Sequence, residues 1–247
     1  MEKERVDITM TAVLRSRVLK QTLESFCKNV FYGDRDRYRL IVNIDPVGDN
    51  EKPKGVIKTC RKYFDNVVFN VAKEPSFPKA VIWTWKQVEA DFVFHLEDDW
   101  VIYRKIDIDN MIRILKERSG LACLRLYKEK LPKGKKPRIF GCRYKYNKEG
   151  FFVADDRKKQ FGLNPVLIRG EFIQQALPLM TDHRNPEKQF RFGNTVMKDF
   201  VMAWQYAIYG NPGDARLVYG KNGLYWRKKS KFKKPRDGKP FLNWVPR

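Results

Sequence analysis

The stretch that most constrains this chain is Asp91-Phe92-Val93-Phe94-His95-Leu96-Glu97-Asp98-Asp99-Trp100. It begins as a short, mostly apolar run and ends in three consecutive carboxylates. A Phe- and Val-rich run of that length reads as a buried strand inside an α/β sheet. Open α/β sheets take their ligands in the crevice beyond the carboxyl ends of the strands, where these three acids would sit. Neighbouring negative charges repel one another, so the cluster costs stability unless a cation neutralises it. Hard oxygen ligands suit Mg²⁺ or Mn²⁺, ions that usually hold a diphosphate as well. A plainer role also fits, because an Asp at a strand end often caps the next helix.

The chain before this stretch alternates between the two periodicities. Val6–Leu14 is β-branched and reads as a first strand; Ser16 is placed to cap a following helix whose apolar stripe is Leu19, Leu23, Phe26, Cys27 and Val30. Tyr38–Ile44 is a second strand ending at Asp45-Pro46, Lys58–Phe64 a short helix, and Asn66–Val71 a third strand. Pro75-Ser76-Phe77-Pro78 breaks the chain before a helix over Lys79–Val88. A β-α-β-α-β-α-β order at this spacing predicts a largely parallel sheet.

After the acids, Ile108, Met111, Ile112 and Leu115 mark a helix, and Leu121–Tyr127 a strand. Phe161–Arg169 reads as a strand interrupted by Pro165, which favours an edge position or a start at Val166. Glu171–Leu177 is a short helix and Thr181–Gly193 an irregular polar segment. Met197, Phe200, Val201, Trp204 and Ile208 predict one amphipathic helix, and Arg216–Tyr219 a last strand.

Charge narrows the partners. With 51 Lys and Arg against 29 Asp and Glu, the 247-residue chain carries a formal net charge of +22. Such an excess points to a polyanion: nucleic acid first, an anionic membrane surface or acidic polymer second. The charge concentrates in two segments. One, a basic loop or hairpin over 128–148, includes Lys133, Lys135, Lys136 and Arg138; the other, over 227–239, includes Arg227, Lys228, Lys229 and Lys231. Tyr127, Tyr144 and Tyr146 accompany the first, and Tyr225, Trp226 and Phe232 the second. Cations tracking phosphates beside aromatics that stack on bases suit a nucleic-acid groove.

Four scattered cysteines without a CxxC pair read as reduced thiols of a cytoplasmic protein, not a disulfide frame or zinc site. Two histidines, His95 and His183, supply a His-rich metal centre or a Ser-His-Asp relay poorly. No stretch approaches 18 apolar residues, so no membrane insertion is expected.

With four βα units ending in Glu97-Asp98-Asp99, residues 6–210 resemble the GT-A glycosyltransferases. The resemblance implies an α/β, Rossmann-like, mostly parallel central sheet flanked by helices, here with basic insertions. It implies a single domain over 1–247, with a nucleotide-sugar-binding half (1–127), an acceptor-side half (128–226) and a basic tail (227–247). Glu97-Asp98-Asp99 matches the EDD form of the family's DxD motif, which implies Asp99 as ligand of Mn²⁺ or Mg²⁺, with Asp98 or Glu97 on the ribose or the metal's waters. The loop after the first strand implies Thr11, Ala12 and Arg15 as donor contacts, and the acid ending the second strand implies Asp45 on the base. Arg15 also reads as a surface residue, and Asp45-Pro46 as a turn. Lys79 is placed to reach a phosphate or the base.

Inverting members need a general base opposite the donor. The family draws it from the C-terminal half near a helix start, which implies Asp199, with Glu187 as rival and Asp155 and Asp156 as outside candidates. The chain departs from the family in lacking a clear ED pair and a late metal-binding His. Stereochemistry therefore stays open, with inversion favoured.

The expected reaction is transfer of a sugar, most simply from a UDP-sugar such as UDP-glucose, to a hydroxyl. The charge directs the acceptor toward a hydroxymethylated pyrimidine such as 5-hydroxymethylcytosine in DNA, as in some bacteriophage enzymes acting in the host cytoplasm. The alternatives are a saccharide, lipid-linked or protein acceptor, a non-catalytic nucleic-acid-binding protein on the same fold, and a metal-dependent nuclease.

Overall fold

The structure is a computed structural model; it describes residues 3–48, 51–133, 137–139, 142–155, 159, 161–220, 223, 226, 228, 232–233 and 245–246. The first half alternates as its sequence predicts: β1 (Val6–Val13), α1 (Ser16–Asn29), β2 (Tyr38–Asp45), α2 (Pro53–Tyr63), β3 (Val67–Val71), α3 (Phe77–Lys86) and β4 (Phe92–Glu97). The helix expected from Lys58 begins earlier, at Pro53, where a missing N–H costs nothing in the first turn. Next come β5 (Val101–Ile102), α4 (Ile108–Glu117), β6 (Leu121–Leu126), β7 (Arg138–Ile139), β8 (Cys142–Tyr146), β9 (Phe151–Ala154), β10 (Val166–Arg169), α5 (Gly170–Ala176), α6 (Pro186–Phe192), α7 (Thr195–Ala203), β11 (Gln205–Tyr209) and β12 (Val218–Tyr219).

The main sheet runs β3-β2-β1-β4-β10-β6-β11-β9-β8-β7. Its first four strands are parallel. β10 is antiparallel to both β4 and β6, so β6 points the same way as β4; β11 runs parallel to β6, and an antiparallel meander of β9, β8 and β7 finishes the edge. The carboxyl ends of β1, β2, β4, β6 and β11 therefore open on one side. Short β12 pairs with β5, which carries the chain after residue 217 back beside the acid turn.

Two apolar layers cover the sheet. Val6, Ile8, Met10, Phe94 and Leu96 face a core closed by α1, α2 and α4; Val93, Cys123, Val166 and Ile168 face one closed by α3, α5, α6 and α7. Burial on both faces is why the parallel strands read as near-continuous apolar runs.

Three expectations are corrected. Thr181–Gly193 is not irregular throughout, because Asn185 caps α6, its Oδ1 accepting the Lys188 N–H at 3.1 Å, with Pro186 in the first turn. The single helix expected over Met197–Ile208 is α7 followed by β11. Tyr206, Ala207 and Ile208 are all buried, so no polar alternation marked the strand against the helical period. Ser16 does not cap α1. Arg15 holds the cap position without a capping bond from its side chain, and Glu51 accepts the Ser16 N–H at 2.8 Å.

Candidate active site

β1, β2 and β4 end side by side, with Val13 paired to Asp45 and Thr11 to Glu97. Adjacent strands lie about 4.8 Å apart, so the register alone gathers these residues. A cleft of about 120 Å³ results, lined by Thr11, Ala12, Val13, Arg15, Asp45, Phe77, Glu97, Asp98, Asp99 and Gly220. Seven of the eight residues expected at a donor and metal site are thus brought together. The eighth, Lys79, is exposed one turn into α3 and does not line the cleft.

The three acids have different surroundings. Asp98 is buried and clamped by Arg15: Nε donates to Oδ2 at 2.9 Å and Nη2 pairs with Oδ1, while the Val13 N–H donates to Oδ2 at 3.0 Å. Thr22 of α1 donates to the Asp98 carbonyl at 2.8 Å, tying the acid turn to the helix. Asp99 lies in the cleft with Oδ2 3.3 Å from Arg15 Nη2. Glu97 Oε2 accepts the Trp100 indole N–H at 3.1 Å. Burial alone would lower the Arg15 pKa, but Asp98, Asp99 and Glu97 raise it above the ordinary arginine value. Arg15 is therefore a fixed cation at the cleft wall, not a surface residue.

Asp45 is more than a turn residue. Its Oδ1 accepts from Asn43 at 2.9 Å and its Oδ2 from the Ser76 N–H at 3.2 Å, so it fixes the loop that starts α3.

The donor set fits a divalent ion on a diphosphate. Among the described residues no three His, Cys, Asp or Glu side chains converge as a protein-only metal cage. The cleft does present the hard carboxylate oxygens of Glu97, Asp98 and Asp99, and Mg²⁺-like ions take one or two carboxylates and complete their shell with phosphate oxygens and water. Arg15 Nη1 is buried with no hydrogen-bond partner among the described residues, a donor suited to an anionic oxygen. Arg15 and the Val13 N–H occupy both oxygens of Asp98, whereas Asp99 lines the cleft beside Arg15 Nη2.

Sequence reasoning missed the roof. The Arg15 guanidinium lies 5.2 Å from the Trp226 ring centroid, and Trp226 packs on Val13 and Val47. A Cβ at Gly223 would fall 2.2 Å from Arg15 Nη1 and 2.4 Å from Asp99 Oδ2, so only a glycine backbone approaches the acids this closely. Glycines and a tryptophan inside a basic run gave no periodic signal.

The catalytic candidates lie elsewhere. Glu187, in the first turn of α6, accepts the Leu163 N–H at 3.1 Å; Asp199 is exposed on α7; neither lines the cleft. Of the basic candidates, Lys133, Arg138 and Lys228 are exposed, whereas Lys135, Lys136, Arg227, Lys229 and Lys231 lie outside the described residues, as does Asp156. The expected stacking role of Tyr127 and Tyr144 is corrected: both are buried in the second core, and the Tyr146 hydroxyl donates to Asn211 at 2.7 Å. Tyr225 is not described. No helix among the described residues is long and apolar enough to cross a membrane.

No protein-family model matches the chain, and no curated protein matches its sequence. Solved structures do match its architecture. The mannosyltransferase PcManGT from Pyrobaculum calidifontis, in complex with GDP-Man and Mn²⁺, shares 14% identity over 97% of this chain and 59% of its own, with a TM-score of 0.59. S. aureus TarS 1-349 in complex with UDP matches at 14% identity over 87% of this chain and 60% of its own, TM-score 0.54. Its UDP-GlcNAc complex matches at 13% identity over 87% and 58%, TM-score 0.55. This chain has the fold of these glycosyltransferases. It spans about three-fifths of their length.

Proposed function

We propose that this chain is a metal-dependent glycosyltransferase that moves a sugar from a nucleoside diphosphate sugar, in the simplest case a UDP-sugar, to a hydroxyl acceptor. The observation that carries the reading is the convergence of Thr11, Arg15, Asp45 and Glu97-Asp98-Asp99 at three parallel strand ends. Neighbours of the same fold hold GDP-Man with Mn²⁺, UDP or UDP-GlcNAc.

In this reading Thr11, Ala12 and Asp45 receive the nucleoside, and Asp99 holds Mn²⁺ or Mg²⁺ on the diphosphate. The metal supplies Lewis-acid neutralisation of the charge that builds on the leaving nucleoside diphosphate. Arg15, already fixed by Asp98 and with its buried Nη1 unused by any hydrogen bond among the described residues, would donate to the same oxygens without reorganising.

The finer reading is that the acceptor is a hydroxymethylated pyrimidine in DNA. Its support is a rung of like charges: Arg138 of β7 pairs directly with Arg143 of β8, and Arg143 and Lys145 both project from the exposed face of β8. Like charges opposite one another destabilise a sheet, a cost that a bound polyanion offsets.

The experiment is donor turnover with Mn²⁺, comparing plain DNA, 5-hydroxymethylcytosine DNA and no acceptor. We expect sugar on the modified DNA, and a fall of about 10³-fold or more in Asp99→Asn, on the scale of removing a metal's several kcal/mol of charge stabilisation. Metal-dependent donor hydrolysis without a DNA product would move the acceptor to a glycan or protein. No metal-dependent donor binding or turnover would sink the enzyme reading.

A further inference from the structure

A second cavity, of about 400 Å³, lies beyond the acid turn, and it is large enough for one ring. Gly220 lines both this cavity and the donor cleft, so the two adjoin there, and Trp100 lines the second beside it. The Trp100 indole N–H binds Glu97 of the cleft, and its ring lies so close to Gly220 that a Cβ there would fall 2.7 Å from it. Tyr219 also lines the second cavity, with the Arg216 guanidinium 5.6 Å from its ring centroid, and Asn164 and Glu129 supply polar groups.

Glu129 reaches this position because β6 ends on the same side as β4. One strand, β10, separates the two, which places their axes about 10 Å apart. The segment carrying Glu129 is pinned at both ends. Tyr127 O accepts the Leu217 N–H at 3.3 Å, and the Leu131 N–H donates to Asp214 O at 2.8 Å. The chain that roofs the cleft thus also fixes the Glu129 loop. Among the described residues lining the second cavity, Glu129 is the carboxylate. Glu187 is committed to Leu163; Asp199 and Glu129 are both exposed, but Glu129 lines this cavity and Asp199 lines neither of the two.

We propose that this cavity is the acceptor subsite and Glu129 the general base. The inference rests on the glycosyltransferase reading of the neighbouring cleft. The aromatic and guanidinium wall, with an amide at Asn164 able both to donate and to accept, favours a flipped-out 5-hydroxymethylpyrimidine over a saccharide ring. Lys128 at the rim meets a flanking phosphate. The acceptor hydroxyl oxygen attacks the anomeric carbon, and its proton passes to the Glu129 carboxylate. The new C–O bond forms as the bond from the anomeric carbon to the diphosphate oxygen breaks, and that oxygen keeps the electron pair.

The test compares wild type, Glu129→Gln, Glu129→Asp and Tyr219→Ala. Mn²⁺-dependent binding of the UDP-sugar is followed by calorimetry, and transfer is measured to 5-hydroxymethylcytosine duplex DNA and to a methyl glycoside. We expect Glu129→Gln to bind donor within about twofold of wild type but to lose 10²- to 10⁴-fold in kcat for transfer to the DNA. Glu129→Asp should regain part of that loss, and Tyr219→Ala should raise the acceptor KM while changing kcat less. Transfer by Glu129→Gln at the wild-type rate overturns Glu129 as base. Transfer by the wild type to the methyl glycoside alone overturns the pyrimidine assignment, and transfer to neither probe with donor bound overturns the subsite. Absence of donor binding in the wild type instead removes the reading on which all of this rests.

Discussion

The two halves of the sheet handle charge in opposite ways. At the ends of β1, β2 and β4 the charges are buried and cross-braced: Asp98 is 2% exposed, Arg15 is 7% exposed, and Arg15 Nε and Nη2 meet both oxygens of Asp98. On the β7–β9 edge the charges are exposed and alike, with Arg facing Arg across the rung. Buried pairs must be met geometrically or they unfold the site; exposed like charges repel only weakly through water. The first arrangement therefore suits a ligand whose atoms must be placed to a fraction of an ångström. The second suits a polyanion met along its length.

The largest effect that would break this contrast is at Arg15. Replacing Arg15 with Met leaves the Asp98 carboxylate buried without its guanidinium, and should cost about 3–5 kcal/mol in urea unfolding. Arg15→Lys should recover little, because a point ammonium cannot reproduce the two-pronged contact. The double change Arg15→Met with Asp98→Leu should return much of the stability. A loss below 1 kcal/mol in the single variant would mean that the acid turn is braced by other groups, and the contrast between the halves would fail.

The same contrast explains what the sequence disclosed. β1 to β4, their helices and the acid turn were legible because apolar runs buried on both faces alternate with clear helical stripes. Seven residues that the family resemblance implied for a donor and metal site line one cleft, because the parallel register brings those strand ends together. The antiparallel half was harder. Trp204 and Ile208 fit a helical period although Trp204 lies just past the end of α7 and Ile208 lies within β11, and Asn185-Pro186 is a cap signal without an apolar stripe long enough to support it. Gly223 and Trp226 meet Arg15, and Gly223 meets Asp99, across more than 100 residues of chain, contacts that no local pattern encodes. Glu129 was hidden in a basic run, where one acid looks like charge balance.

A second test probes the interior of the parallel half. His95 on β4 is fully buried; its Nδ1 lies 3.0 Å from Thr9 Oγ1 of β1, and Nε2 has no partner among the described residues. Burial lowers its pKa from 6.5 to about 3, so the folded state holds the ring neutral. The unfolded chain binds the proton at the ordinary pKa. The stability this supplies is complete above about pH 6.5 and is lost as pH falls toward 3, at up to about 1.4 kcal/mol per unit. Wild type should therefore lose about 2–3 kcal/mol more than His95→Gln between pH 7.5 and pH 4.5 in chemical denaturation. Parallel pH profiles for the two proteins would show that water or a proton partner reaches the strand, and that this half is less sealed than its packing implies.

The smallest effect is on the other half, and it is the most specific. Arg138→Ser and Arg143→Ser remove the like-charged rung, so each should leave stability unchanged or raise it by a few tenths of a kcal/mol. Each should at the same time weaken binding to duplex DNA by a similar factor for every sequence. The slope of log affinity against log salt should fall by about 0.9 per arginine, read by fluorescence anisotropy between 50 and 200 mM NaCl. Mn²⁺-dependent donor binding should not change, because neither residue lines the cleft at the ends of β1, β2 and β4. An unchanged salt slope would mean that the polyanion lies along another face, and the exposed rung would then be a repulsion that the sheet simply tolerates. A reduced slope with intact donor binding would separate the two halves in function as they are already separated in charge.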